Sequence, residues 1–121
     1  MIGLNFKDVN HVFHVHRLHL KLQEVFTFFL HEADKLWPET TWVVTSVFRN
    51  DGGVHNHYRG IDLVPEDRDL DKMKTMEDRV NAAFDYGKEG LKVCPDIHHG
   101  TAPHNHLQAR DSTRRKEKAR V

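Results

Sequence analysis

His55 and Asp62 stand seven positions apart, and His104 and His106 two apart, in a 121-residue chain that carries eleven histidines. Imidazole is a common metal ligand and the side chain that titrates nearest neutral pH. A catalytic zinc site takes about three protein ligands from His, Asp, Glu or Cys and leaves a position open for water. One ligand pair close in sequence, completed by a third from a distant strand, is an economical way to build it. Residues two apart on a strand project from one face, so His104 and His106 are expected to point the same way. Spacing alone leaves the choice of ligands open, because eleven histidines make many chance pairs.

The other candidates carry less. His11, His14, His16 and His19 cluster around the start of an expected helix, with no acid or cysteine among them, so a solvated helix start is expected. His31 has no obvious partner, and His57 is an alternative to His55 that lies five residues from Asp62. Cys94 is the single cysteine, too few for an internal disulfide, and in an apolar stretch it reads as a small core residue. His-Asn-His occurs at 55–57 and at 104–106. The nucleases named after those letters spread the residues over a hairpin and a helix, so a contiguous triplet does not support that activity.

The elements that must position these groups follow from periodicity. Over residues 16–36, Leu18, Leu22, Val25, Phe26, Phe29, Ala33 and Leu36 recur at three-to-four spacing, predicting an amphipathic helix closed by Pro38. The β-branched and aromatic run 41–48 (TWVVTSVF) predicts a strand, and Asn50-Asp51-Gly52-Gly53 a turn. A short strand over 60–64 stops at Pro65. Residues 67–87 repeat the helical pattern through Leu70, Met73, Met76, Val80, Ala83 and Phe84, with Gly87 placed as a C-cap. Short strands are expected at 91–94 and 106–108. The link between 48 and 60 is too short for a parallel crossover. An α+β fold with a small antiparallel sheet and two main helices follows.

The length suits one domain with one modest core. With 38% hydrophobic and 30% charged residues the composition is that of a globular chain, and no apolar run nears the roughly 20 residues of a membrane span. The first residues, MIGLNFKDVN, lack a basic start followed by an apolar stretch, so cytoplasmic synthesis without a signal peptide is expected. Net charge is zero, yet residues 109–121 hold six Lys or Arg against two acids. The expected organisation is a domain over 1–110 and a basic tail over 111–121. That tail reads as a solvated end, or as a weak attractor of an anionic polymer such as cell wall or nucleic acid.

Ser46-Val-Phe-Arg49, then Gly53-Val-His55-Asn-His-Tyr-Arg-Gly60-Ile-Asp62, then Pro103-His104-Asn-His106-Leu-Gln resembles the zinc D-Ala-D-Ala carboxypeptidases and dipeptidases. Relatives of that family include phage endolysin peptidases, murein endopeptidases and the hedgehog signalling domain. The shared pattern is His, six residues, Asp, and later a His-x-His. The resemblance covers about residues 40–108. It implies a hedgehog/DD-peptidase-like fold, Zn2+ on His55, Asp62 and His106, His104 stabilising the substrate oxygen, and Arg49 near the peptide's carbonyl or terminal carboxylate. Where the family usually carries Gly and Ala, three and five residues after the first His, this chain has Tyr58 and Gly60.

Many relatives also place a Glu shortly before the last ligand. Here residues 100–103 are Gly-Thr-Ala-Pro, which leaves His98, His99 and further Asp96 as candidates for the general base. The implied activity is metal-assisted hydrolysis of peptide bonds in bacterial cell-wall peptides, of the carboxypeptidase or endolysin kind. The implied partner is a peptidoglycan stem peptide, met by a monomer with no membrane or specific nucleic-acid partner. Action on the wall would follow release from the cell, or occur on a virion. The alternative is a non-catalytic zinc domain of the same fold, in recognition or in a virion.

Overall fold

The computed structural model describes residues 2–49, 58–98, 100 and 102–116; of Arg49 it describes the backbone alone. A four-stranded sheet is ordered β1 (Gly3–Phe6), β2 (Thr41–Arg49), β3 (Tyr58–Pro65) and β5 (Asn105–Gln108). Helices α1 (Asn10–Val15) and α2 (Leu20–Leu36) join β1 to β2, and α3 (Leu70–Ala83) follows β3. β4 (Phe84–Asp85) pairs with β6 (Arg114–Arg115) in a separate two-stranded ribbon. The mixed α and β content agrees with the expected α+β class.

The sheet is not wholly antiparallel. β2–β3 and β3–β5 run antiparallel, but β1 lies parallel to β2. The helical connection between β1 and β2 supplies the long crossover that a parallel pair needs. The run 3–6 is too short to show a period of its own, so this edge strand was not expected from the sequence.

The helix expected over 16–36 forms as α2, four residues shorter at its start, and α1 precedes it as an element the sequence pattern did not predict. α2 begins at Leu20 because His19 takes an extended conformation (φ −54°, ψ 142°) and its Nδ1 accepts the Lys21 N–H at 3.1 Å. Its buried stripe is Leu22, Val25, Phe26, Phe29 and Ala33, and the helix ends before Pro38 as expected. α3 starts at Asp69, whose carboxylate caps the Lys72 N–H at 3.1 Å, and it buries Met73, Met76, Glu77 and Val80.

α3 stops at Ala83, four residues short of the expected Gly87, since Phe84 turns extended to pair with Arg115. Gly87 instead makes a left-handed turn at φ 92°, against Ser112. Residues 91–94 form no strand: the Asn81 amide binds both the N–H (2.9 Å) and the C=O (2.7 Å) of Cys94. A side chain there takes the place of a neighbouring strand.

One face of the sheet presents Trp42, Val44, Ile61, Leu63 and Leu107, all fully buried in the core with α2 and α3. Phe29 meets Trp42 edge-on at 4.9 Å between centroids. Asp62, His106, Ser46 and Phe48 belong to the opposite face. A bulge between Val44 and Ser46 brings Ser46 opposite Asp62 while Val44 stays opposite Leu63. Among the described residues no helix is long and apolar enough to cross a membrane.

Candidate metal centre

The register of β3 against β5 sets Asp62 directly opposite His106 and Ile61 opposite Leu107. Alternation then does the rest. Ile61 and Leu107 enter the core, so Asp62 and His106 must point to the opposite face, where cross-strand neighbours touch. His106 Nδ1 lies 2.6 Å from Asp62 Oδ1, and His104 Nε2 lies 3.6 Å from Asp62 Oδ2. The Asp62 side chain is 13% exposed and each imidazole 20%, sheltered yet open to solvent.

The donor chemistry of this triplet suits a cation. His104 Nδ1 faces the carbonyl oxygen of Ala102 at 2.8 Å. A carbonyl only accepts, so Nδ1 carries the proton, and neutral His104 turns the Nε2 lone pair toward a carboxylate oxygen. Two acceptors face one another unless His104 is protonated or a positive ion sits near both. His106 differs: as the Nδ1–H tautomer it donates to Asp62 Oδ1 at 2.6 Å and leaves its Nε2 lone pair free. One carboxylate and imidazole nitrogens are donors that zinc accepts.

Packing fixes the His106 ring. Phe48 meets it edge-on at 5.6 Å between centroids, and a Cβ on Gly60 would stand 3.1 Å from His106 Cε1 and 3.3 Å from Phe48 Cβ. Gly60 therefore supplies room for the imidazole to lie across β3. On the opposite side of β5, the Asn105 amide donates to the Met73 carbonyl at 2.9 Å and ties the strand to α3.

Two clefts meet at the Asp62–His106 pair. Asp62 and His104 line one of about 470 Å³, together with Ser46, Thr45, Lys7 and Arg68. Arg68 there holds φ 58°, a left-handed conformation costly for any residue but glycine. His106 lines the second cleft, of about 680 Å³, with Phe48, Tyr86, Arg59, Arg110 and Asp111. Arg59 Nη2 reaches Asp111 Oδ1 at 3.2 Å and His19 Nε2 reaches the same oxygen at 2.8 Å. The Arg59 guanidinium, helped by His19, holds the Asp111 carboxyl below its ordinary range.

Of the expected ligands, Asp62 and His106 come together, with His104 beside them. His55, its alternative His57, and His99 lie outside the described residues, as does the Arg49 side chain at the end of β2. His98 is exposed and lines neither cleft; its N–H donates to Asp96 Oδ1 at 2.8 Å, a bond that lowers the Asp96 pKa. Glu77, 4% exposed, is spent on structure: Oε1 accepts the Ile97 N–H at 2.8 Å, and Oε2 meets Lys74 Nζ. No described residue lining either cleft is a glutamate. Among the described residues no three His, Cys, Asp or Glu side chains are arranged to hold a metal.

The sequence reading passed over Arg59, Arg110, Asp111 and Tyr86. It also left His19 as a solvated residue, whereas His19 both caps α2 and pairs with Asp111. The basic tail is held as far as Lys116, whose N–H donates to the Ala83 carbonyl at 2.8 Å. Arg115 lies over the Phe28 and Phe84 rings. No protein-family model matches the chain, and no curated protein sequence matches it.

Proposed function

We propose that this chain is a zinc-dependent peptidase of the hedgehog/DD-peptidase kind, acting on peptide bonds of bacterial cell-wall peptides. The observation that carries the reading is the meeting of Asp62 with His106 at 2.6 Å, across two strands and at the junction of two clefts. The sequence pattern that singles out these two residues names His55 as the third ligand. A zinc ion held by His55, Asp62 and His106 supplies Lewis acidity toward a scissile carbonyl and brings the pKa of water to roughly 7.

The chain's own groups do the remaining work. With Nδ1 committed to the Ala102 carbonyl, His104 Nε2, when protonated, is the donor available to an oxyanion beside Asp62. Asp62 orients both imidazoles at once. Arg49 stands at the strand end nearest the 50–57 segment and is the candidate to hold the substrate's carbonyl or carboxylate. A proton must also pass to the leaving amine, and His98 or His99 is assigned that step.

Zinc-loaded protein is expected to release new amino groups from peptidoglycan or from D-Ala-terminated peptides. His104→Ala should keep the metal and lose about 10²-fold or more in turnover. His98→Ala combined with His99→Ala should likewise spare zinc and cost about 10²- to 10⁴-fold. Undiminished turnover in that double variant removes both residues as the base.

The absence of a glutamate among the described cleft residues favours a second reading, a zinc domain of the same fold that recognises a partner or sits in a virion without catalysis. Zinc binding without release of amines from any cell-wall substrate would select it.

A further inference from the structure

We propose that the outward face of α1, carrying Val9, Val12 and Phe13, docks on an anionic lipid surface. The docking needs neither zinc nor a peptide, so it stands apart from the peptidase reading.

The polarity of this short helix is inverted. Its inner side is lined by imidazoles: His14 stacks on the Tyr58 ring at 4.7 Å between centroids, and the His11 ring lies 6.4 Å from that of His14. The Nδ1 atoms of both histidines are buried with no hydrogen-bond partner. Of the apolar residues of α1 only Val15 packs against the core. Residues three and four apart share a helix face, so Val9, Val12 and Phe13 project together. They project outward, with Val9 70% and Phe13 65% exposed, and Leu20 at the start of α2 is 77% exposed. A helix that serves only its own core turns apolar side chains in and polar ones out. The reverse arrangement marks a surface that meets an apolar medium.

Charge selects the medium. Lys7, Arg17 and Lys21 flank the apolar residues, and among the described residues none of the three pairs with a carboxylate. Asp8 is the one acid between positions 7 and 21 of the sequence. Each Lys or Arg held near an anionic bilayer strengthens binding roughly fivefold, and Phe and Leu side chains add apolar area at the acyl boundary. Val9, Val12 and Phe13 line neither cleft at Asp62 and His106, so a partner must close around them. Fluid acyl chains do so without a matching pocket.

Binding of the full chain is followed by co-sedimentation with vesicles of phosphatidylcholine alone, or of phosphatidylcholine mixed equally with phosphatidylglycerol. The mixed vesicles should bind about tenfold or more tightly, and added salt should weaken that binding. Phe13→Ser should cost about tenfold, and Arg17→Gln combined with Lys21→Gln about tenfold as well. Leu91→Ser, which trims an exposed apolar residue elsewhere, should bind as the parent does. In a Phe13→Trp variant the added emission should be quenched by brominated acyl chains.

Equal binding to both vesicles, binding untouched by Phe13→Ser, or no quenching in a folded Phe13→Trp variant overturns the docking face. So does a loss in Leu91→Ser as large as in Phe13→Ser, which would mark unselective adhesion. Self-association of the parent without vesicles, abolished by Phe13→Ser, would assign the face to a second copy of the chain and overturn the lipid. If vesicle binding holds but the zinc-loaded protein cleaves nothing, the docking face stands and the peptidase reading falls.

Discussion

The Asp62 carboxylate and the His106 Nδ1 lie 2.6 Å apart although 44 residues separate them in the chain. Their contact depends on one register, Asp62 opposite His106 in the β3–β5 ladder. A slip of one residue in β5 would bury His106 in place of Leu107 and part it from Asp62, so the core that fixes the register also fixes the site.

Zinc is expected to bind once per chain and to stabilise the fold. At a free concentration of 100 times the dissociation constant the gain is about 2.7 kcal/mol, visible as a rise in melting temperature. Asp62→Ala and His106→Ala should lose that rise and the bound metal, by elemental analysis of the dialysed protein. A zinc-dependent rise that survives in either variant removes that residue from the ligand set.

Gly60→Ala places a methyl 3.1 Å from the His106 ring. Overpacking of this kind costs about 1–3 kcal/mol in stability. Here the strain falls on a proposed ligand, so on the zinc reading metal affinity should drop as well, in a titration against a competing chelator. An unchanged affinity would mean that the ring can shift without loss.

Arg68→Gly relieves a left-handed residue at φ 58°. Glycine reaches that conformation without the Cβ clash, and denaturant unfolding should show a gain of about 1 kcal/mol. The variant also removes a cation from the cleft shared with Asp62, so any anionic ligand there should bind more weakly. A gain in stability with no change in binding would leave the arginine without a role in that cleft.

Cys94 is fully buried, and burial pushes its thiol pKa up to about 12. A thiol reagent at pH 8 should therefore label the native chain only as fast as it opens, and label it at once in denaturant. Because the folded state holds its proton more tightly than the unfolded chain, stability is full below about 9 and declines as pH rises toward about 12. A Cys94→Ala variant should show less of that alkaline decline in pH-dependent melting.

The three-to-four spacing of α2 and the β-branched run of β2 were legible because burial alone dictates those patterns. Asp62 and His106 were legible through a sequence resemblance and not through periodicity, since nothing local tells a strand histidine to meet an aspartate 44 residues away. β2 hid its faces. Strict alternation from Trp42 would send Ser46 and Phe48 into the core, and the bulge after Val44 reverses them. β1 hid its partner, because parallel pairing is decided by a helical crossover rather than by four residues. Asp111 looked like part of a loose tail, and only the folded chain sets it between Arg59 and His19.

The segment that ends in β6 works as a clasp. Its Asp111 holds Arg59 of β3, while four residues later Arg115 is pressed against Phe28 and Phe84. A load on the carboxyl end, such as a fused reporter or a surface tether, would therefore tug on the strand that keeps the arginine cleft in shape. Attachment through the amino end leaves that clasp unburdened, and the two orientations of an immobilised protein should differ in how well they capture ligand.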